Sequence, residues 1–163
     1  LNDLTKSLVP IVYVVDSFGA FYSEDIDVLA KKYMGLLPGK TIGIHCHNNQ
    51  QLAFANTISA IIAGVNYLDA SLYGIGRGAG NCPLELLVAF LKNPKFKVRP
   101  LIDAIETVIL PWQEKIDWGY YIPYMVSGVL NQHPRAAMAH MESDKKNKIT
   151  QFFDQMTSST ELE

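Results

Sequence analysis

The chain has 163 residues, 48% of them hydrophobic, with 14 Lys and Arg against 16 Asp and Glu and a net charge of −2 at pH 7. This describes one globular domain able to bury a sizeable core and excludes disordered and collagen-like chains. With no basic run longer than Lys31-Lys32 or Lys145-Lys146, there is no electrostatic case for nucleic acid or an anionic membrane surface, and a small-molecule partner is expected.

Cys46 and Cys82 are too few for a disulfide framework and read as reduced thiols. No signal peptide or long apolar stretch is evident, so a cytoplasmic protein is expected. The start at Leu1 without an initiator methionine, and Leu162-Glu163 as a possible tag junction, give the expectation of a fragment of something longer.

In chain order, Val9-Pro-Ile-Val-Tyr-Val-Val is β-branched and aromatic and runs into the polar turn Asp16-Ser-Phe-Gly, as a buried parallel strand would. Ser23-Glu-Asp-Ile reads as an N-cap with acidic residues in the first turn. It leads into a helix with Ile26, Leu29, Ala30, Tyr33 and Leu36 on one face, closed near Pro38-Gly39. The cycle repeats with a strand over Lys40 to His45, a polar turn over Cys46 to Gln50, and a helix from Gln51 to Ala63 stopped by Gly64. A third strand, Tyr67 to Leu72, enters a glycine-rich loop, and Pro83 opens a helix over Leu84 to Leu91.

Three βα units predict a parallel sheet with helical crossovers, in which chemistry gathers at the carboxyl ends of the strands. Beyond residue 95 the pattern is all-helical. A helix from Leu101 ends at Pro111, an irregular aromatic stretch covers Trp112 to Tyr124, and further helices follow at Pro123 to Leu130, Arg135 to Glu142 and Lys148 to Met156. The expected division is therefore a βα part over 1–95 and a helical extension over 96–163.

His45 and His47 are two apart at a strand end, where alternation points both imidazoles the same way, a geometry able to chelate one divalent cation. Asp16-Ser17, the stretch from His45 to Asn49, and Asp69 and Ser71 with the loop to Asn81 end the three strands and should converge on one mouth. Each Asp or Asn alone is equally explained as a helix cap. The glycines at 74, 76, 78 and 80 have the wrong spacing for Gly-x-Gly-x-x-Gly, and a fold-back that lets Asn81 face the site is the better reading. His133 and His140 lack ligand-type neighbours and read as structural or surface residues.

The set Val15-Asp16-Ser17-Phe18-Gly19, Gly43-Ile-His-Cys-His-Asn-Asn49, Asp69-Ala-Ser-Leu72 and Gly78-Ala-Gly-Asn-Cys-Pro-Leu-Glu85 resembles the DRE-TIM metallolyase superfamily, nearest to its 4-hydroxy-2-oxovalerate aldolases. The resemblance is strong over 9–91 and weaker over 101–142. It implies an α/β fold in which these units are strands six to eight of a TIM barrel, with a helical C-terminal extension. It implies metal ligation by His45, His47 and Asn81, a pocket lined by Asp16, Ser17 and Ser71, and a pocket tyrosine at Tyr121 or Tyr124, which packing alone would also explain.

The implied activity is divalent-metal-dependent cleavage of a 4-hydroxy-2-oxo acid to pyruvate and an aldehyde. The resemblance gives the ion as Mn²⁺ or Mg²⁺, and imidazole chemistry admits Zn²⁺ equally. The first-strand aspartate ligand and the enolate-stabilising arginine of that family are absent from these residues, so the chain alone is expected to be inactive. A homo-oligomer and pairing with an acylating aldehyde dehydrogenase are also implied. The alternatives are a Claisen-type acyl-CoA condensing enzyme of the same superfamily and a catalytically silent assembly module.

Overall fold

The computed structural model describes residues 2–158; Leu162-Glu163 lie outside the described residues. A short helix α1 (Asn2–Thr5) precedes strand β1 (Ile11–Asp16), helix α2 (Ser23–Leu36), strand β2 (Thr41–Cys46), helix α3 (Ala53–Ile62) and strand β3 (Tyr67–Leu68). Helix α4 (Leu84–Leu91) closes the βα part. The three strands form one sheet in the order β1-β2-β3, both pairs parallel, with Val15 opposite His45 and Gly43 opposite Tyr67.

Alternation gives this sheet two unlike faces. Val12, Val14, Ile42, Ile44 and Cys46 point one way and are buried with Ile26 and Ala30 of α2, Ala53 and Ala60 of α3 and Leu87 of α4. The opposite face carries Tyr13, Val15, His45, Tyr67 and Asp69, and there Val15 and Tyr67 are 45% and 46% exposed. Parallel sheets are ordinarily covered on both faces, and three strands cannot close a barrel. Gly43 interrupts β2 because the Tyr13 ring lies over it, where a Cβ would meet that ring at 2.5 Å.

Local departures from the sequence expectation have physical causes. The N-cap of α2 is Tyr22, not Ser23; the Tyr22 amide donates to Asp25 Oδ2 at 3.0 Å, the return half of a capping box. Helix α3 starts at Ala53 because Gln51 takes φ 62°, and Asn48 Oδ1 accepts the Ala53 amide at 3.1 Å as its cap. Strand β3 stops at Leu68, four residues short. Past Asp69 the chain leaves β2 and Ser71 pairs instead with the far end of its own loop, donating to the Cys82 carbonyl and accepting the Leu84 amide.

After α4 the described chain is helical. Helix α5 (Val98–Ala104) passes through a wide turn at Ile105–Ile109 into α6 (Leu110–Gln113), so the helix continues across Pro111 instead of ending there. The Leu110 amide bonds to the Ile105 carbonyl, five residues back, and this π-type turn absorbs the missing donor and the bulk of the proline ring. Helices α7 (Ile122–Val129), α8 (Arg135–Met141) and α9 (Ile149–Ser158) pack around Tyr124, Val126, Ala137, Phe152 and Met156. Ala79 of the glycine loop belongs to the same cluster, and Asn49 Nδ2, buried at the end of the β2 turn, donates to the Tyr124 carbonyl at 3.2 Å and to Ser127 Oγ at 3.3 Å. No helix among the described residues is long and apolar enough to cross a membrane.

Candidate metal centre

His45 and His47 project from the end of β2 onto the open face, with ring centroids 5.0 Å apart and an interplanar angle of 79°. His45 Nδ1 lies 3.2 Å from Asp69 Oδ2, which follows the last residue of β3 and whose amide still bonds to the Ile44 carbonyl of β2. Burial, then the Asp69 carboxylate, raises the pKa of the Tyr13 hydroxyl, so Asp69 lies near Tyr13 of β1 as well as against His45 of β2. The arrangement fixes the His45 ring and leaves its Nε2 as the available donor.

The His47 ring is more enclosed. Its Nδ1 is buried with no hydrogen-bond partner among the described residues. Burial, then the Arg77 guanidinium and His45, hold its pKa down at about 4, so at neutral pH it is an uncharged ligand-type imidazole.

The glycine loop brings Asn81 alongside. His47 and Asn81 form an antiparallel bridge; the Asn48 amide donates to the Gly80 carbonyl at 2.8 Å and the Asn81 amide to the Gly74 carbonyl at 3.0 Å. Gly80 has φ 84°, and a Cβ there would overlap the Gly74 carbonyl oxygen, so glycine alone allows this crossing. Asn81 Nδ2 donates to the Ile75 carbonyl at 3.1 Å and reaches Ser71 Oγ at 3.5 Å, which leaves Oδ1 buried and unpartnered.

These observations test whether the site suits a divalent cation. Two buried acceptor atoms without partners, His47 Nδ1 and Asn81 Oδ1, lie on bridged residues beside a third donor, His45 Nε2, and a bound ion would satisfy what protein groups do not. Among the described residues no three His, Cys, Asp or Glu side chains surround one point, so the groups that could hold an ion here are two imidazoles and an amide.

The other sequence candidates are dispersed. Asp16 is 1% exposed and its two carboxylate oxygens accept the Ala20 and Phe21 amides at 2.9 and 3.2 Å. Burial raises its pKa against those amides, and its visible work is to hold the turn after β1 rather than to face a ligand. Ser71 Oγ donates to the Ile75 carbonyl at 2.7 Å and sits next to Asn81 as a support. Ser17 is exposed at the mouth, with its carbonyl accepting Arg77 Nη2 at 2.7 Å.

Tyr124 is 8% exposed, and its ring packs on Gly78, while the Tyr121 hydroxyl donates to Asp117 Oδ1 at 2.7 Å. Tyr121 lines a surface groove with Asp117, Met141 and Lys146, and His45, His47 and Asn81 are not among that groove's residues. Sequence reasoning placed Asp69 at the mouth without giving it a role, and passed over Tyr13. Their parity with His45 along the strands was the available signal, but the register that pairs them is tertiary information.

The family model described as HMGL-like matches residues 4–110. The chain belongs to the HMGL-like family. This agrees with the DRE-TIM metallolyase resemblance of its motifs. Among curated relatives, a 4-hydroxy-2-oxovalerate aldolase of Thermus thermophilus is 45% identical over 105 residues, which is 62% of this chain and 30% of that protein. An oxaloacetate decarboxylase of Mycobacterium tuberculosis is 49% identical over 88 residues, covering 52% of this chain and 25% of that one. The chain thus spans under a third of the length of these HMGL-like relatives.

Among solved structures, the N-terminal domain of a Bacteroides vulgatus protein described as an aldolase superposes with a TM-score of 0.74 at 34% identity, covering 87% of this chain and 48% of that one. The carboxyl transferase domain of Rhizobium etli pyruvate carboxylase, solved with pyruvate, superposes at 0.65 and 18% identity over 95% of this chain and 28% of that one, a likeness of fold alone.

Proposed function

We propose that these residues form strands six to eight and the helical extension of a TIM-barrel lyase that cleaves a 4-hydroxy-2-oxo acid to pyruvate and an aldehyde. The observation that carries the reading is the convergence of His45, His47 and Asn81 at the carboxyl ends of parallel strands, with His47 Nδ1 and Asn81 Oδ1 buried and unpartnered. The name of the Thermus relative supports the substrate class.

A divalent cation held there, Mn²⁺ or Mg²⁺ with Zn²⁺ chemically admissible, supplies Lewis-acid stabilisation of the enolate charge that develops on the pyruvate fragment. His47, uncharged at neutral pH, and His45 would hold it through ring nitrogens and Asn81 through its amide oxygen, while Asp69 orients His45 from behind. Tyr121, bonded to Asp117, and Tyr124, desolvated, both have pKa values raised above the tyrosine range. At neutral pH each hydroxyl is therefore a proton donor, and removal of the substrate's 4-hydroxyl proton falls to another base.

The isolated 163 residues hold the metal-gathering side of the site and are proposed to be inactive alone. In the same reading the helical part docks an acylating aldehyde dehydrogenase that receives the aldehyde, and the protein is a homo-oligomer. The test is Mn²⁺-dependent release of pyruvate from 4-hydroxy-2-oxopentanoate by the complete polypeptide. His45→Ala and His47→Ala should each lower turnover by more than about a hundredfold, beyond what loss of an outer-shell partner typically does. Metal-independent turnover, or full activity in both variants, refutes the assignment.

A further inference from the structure

The sheet order places one cation where neither the strand motifs nor the proposed metal ligands account for it. Arg77 lies in the loop after β3, yet its Nη2 donates to the Ser17 carbonyl at 2.7 Å, in the turn after β1. The loop that carries Arg77 is itself bridged to the carboxyl end of β2, where His45 and His47 emerge, so Arg77 reaches the turn after β1 from beside that pair. Two strand spacings are about 10 Å, within reach of an extended arginine on a loop that already folds inward. The electrostatic influence of Arg77 on both His47 and His133 agrees with that path.

Among the described residues nothing neutralises the charge on Arg77. It has no carboxylate within ion-pair distance there: Asp16 is turned into its own backbone amides, and Asp69 is engaged by His45. Among the described residues only one of the five guanidinium N–H groups has a partner, the Ser17 carbonyl. Among the described residues the Ser17 hydroxyl has no partner, and on its side opens a cavity of about 190 Å³ lined by Val15, Asp16, Ser17, Phe18, Phe21 and Asn131, the Asp16 carboxylate being turned into its own backbone amides. A rigid planar fork with free donors, next to a free hydroxyl and open space, suits a carboxylate.

We propose that Arg77 and Ser17 form an anion-binding position for a second carboxylate on the substrate, so that the preferred substrate is a 4-hydroxy-2-oxo dicarboxylate. This rests on the lyase reading above and narrows its substrate class. The 2-oxo acid end occupies the His45–His47 side, and the group on carbon 4 extends toward Arg77. In the cleavage the C3–C4 bond breaks, and its electron pair stays on the pyruvate fragment as an enolate, later protonated at C3. The 4-hydroxyl proton goes to a general base, and carbon 4 leaves as an aldehyde that itself bears a carboxylate.

The discriminating pair is 4-hydroxy-2-oxoglutarate against 4-hydroxy-2-oxopentanoate, which differ only by a terminal carboxylate in place of a methyl. On the complete Mn²⁺-loaded polypeptide, kcat/KM should favour the dicarboxylate by about tenfold or more, as one charge-assisted hydrogen-bonded pair allows. Arg77→Gln should lower that ratio by about the same factor, Arg77→Lys should retain part of it, and Ser17→Ala should reduce it less.

Calorimetry provides a second readout independent of turnover: 2-oxoglutarate should bind about tenfold more tightly than 2-oxopentanoate, and the difference should vanish in Arg77→Gln. No preference for the dicarboxylate, or an equal loss for both substrates in Arg77→Gln and Arg77→Lys, overturns the proposal. A binding preference that depends on Arg77, without turnover of either substrate, supports the anion position and overturns the lyase reading instead.

Discussion

Gly80→Ala isolates how the loop presents Asn81. The backbone at Gly80 has φ 84°, and a methyl there would overlap the Gly74 carbonyl oxygen and lie 3.4 Å from Trp118 Cδ1. The left-handed conformation costs about 1 kcal/mol for alanine. Relief of the overlap must move residue 74 or residue 80, whose carbonyls accept the Asn81 and Asn48 amides, and each bond lost adds about 1 kcal/mol. The total is about 2–3 kcal/mol, a fall of roughly 4–12 °C in Tm for a chain of this size.

Gly39→Ala is the internal control, since φ is 82° but no atom lies within 4 Å of the added Cβ, so only the conformational part remains, about 1 kcal/mol. Urea denaturation monitored by Trp fluorescence compares the two. Equal losses, or a larger loss for Gly39→Ala, refute the claim that contact with Gly74 makes Gly80 obligatory. Mn²⁺ affinity should fall in Gly80→Ala and not in Gly39→Ala.

Three further outcomes follow from the site. Asp69→Asn should weaken Mn²⁺ binding about tenfold by calorimetry with little change in Tm, because the carboxylate is nearly half exposed but orients His45; unchanged affinity would remove Asp69 from the site. His47 titrates near 4 in the folded protein against about 6.5 unfolded, so the unfolded state binds the extra proton as pH falls. Its contribution to stability is therefore whole above about 6.5 and lost progressively toward 4, and His47→Gln should flatten that part of the stability–pH profile. Cys46 and Cys82 are 1% and 0% exposed, and burial pushes the Cys46 thiol up to about 12 and raises Cys82, so a disulfide reagent at pH 8 should modify both only in denaturant. Rapid modification of the native chain would show that this core opens.

Much of the βα part was legible because hydrophobic period and turn chemistry are local. Strands β1 and β2 are apolar, β-branched runs bounded by polar turns, their successive side chains alternating between faces, and the acidic first turn before Ile26 marks a helix start without reference to the rest of the chain. The same alternation paired His45 with His47. The proline at 111 misled, because only the helix geometry around it reveals the five-residue turn that accommodates the ring. The third strand was overextended for a similar reason: Asp69 to Leu72 is strand-like in composition, but Ser71 finds its partners in Cys82 and Leu84.

The sequence by itself determined the order of strands and helices, the shared face of the two histidines and the need for glycines before Asn81, since each depends on backbone sterics within a few residues. Only the tertiary structure decided that Asp69 sits behind His45, that Asp16 spends its carboxylate on its own turn, and that Arg77 reaches Ser17. Those depend on strand register and order, which bring together residues 24 and 60 positions apart, and local propensity has no knowledge of such pairs.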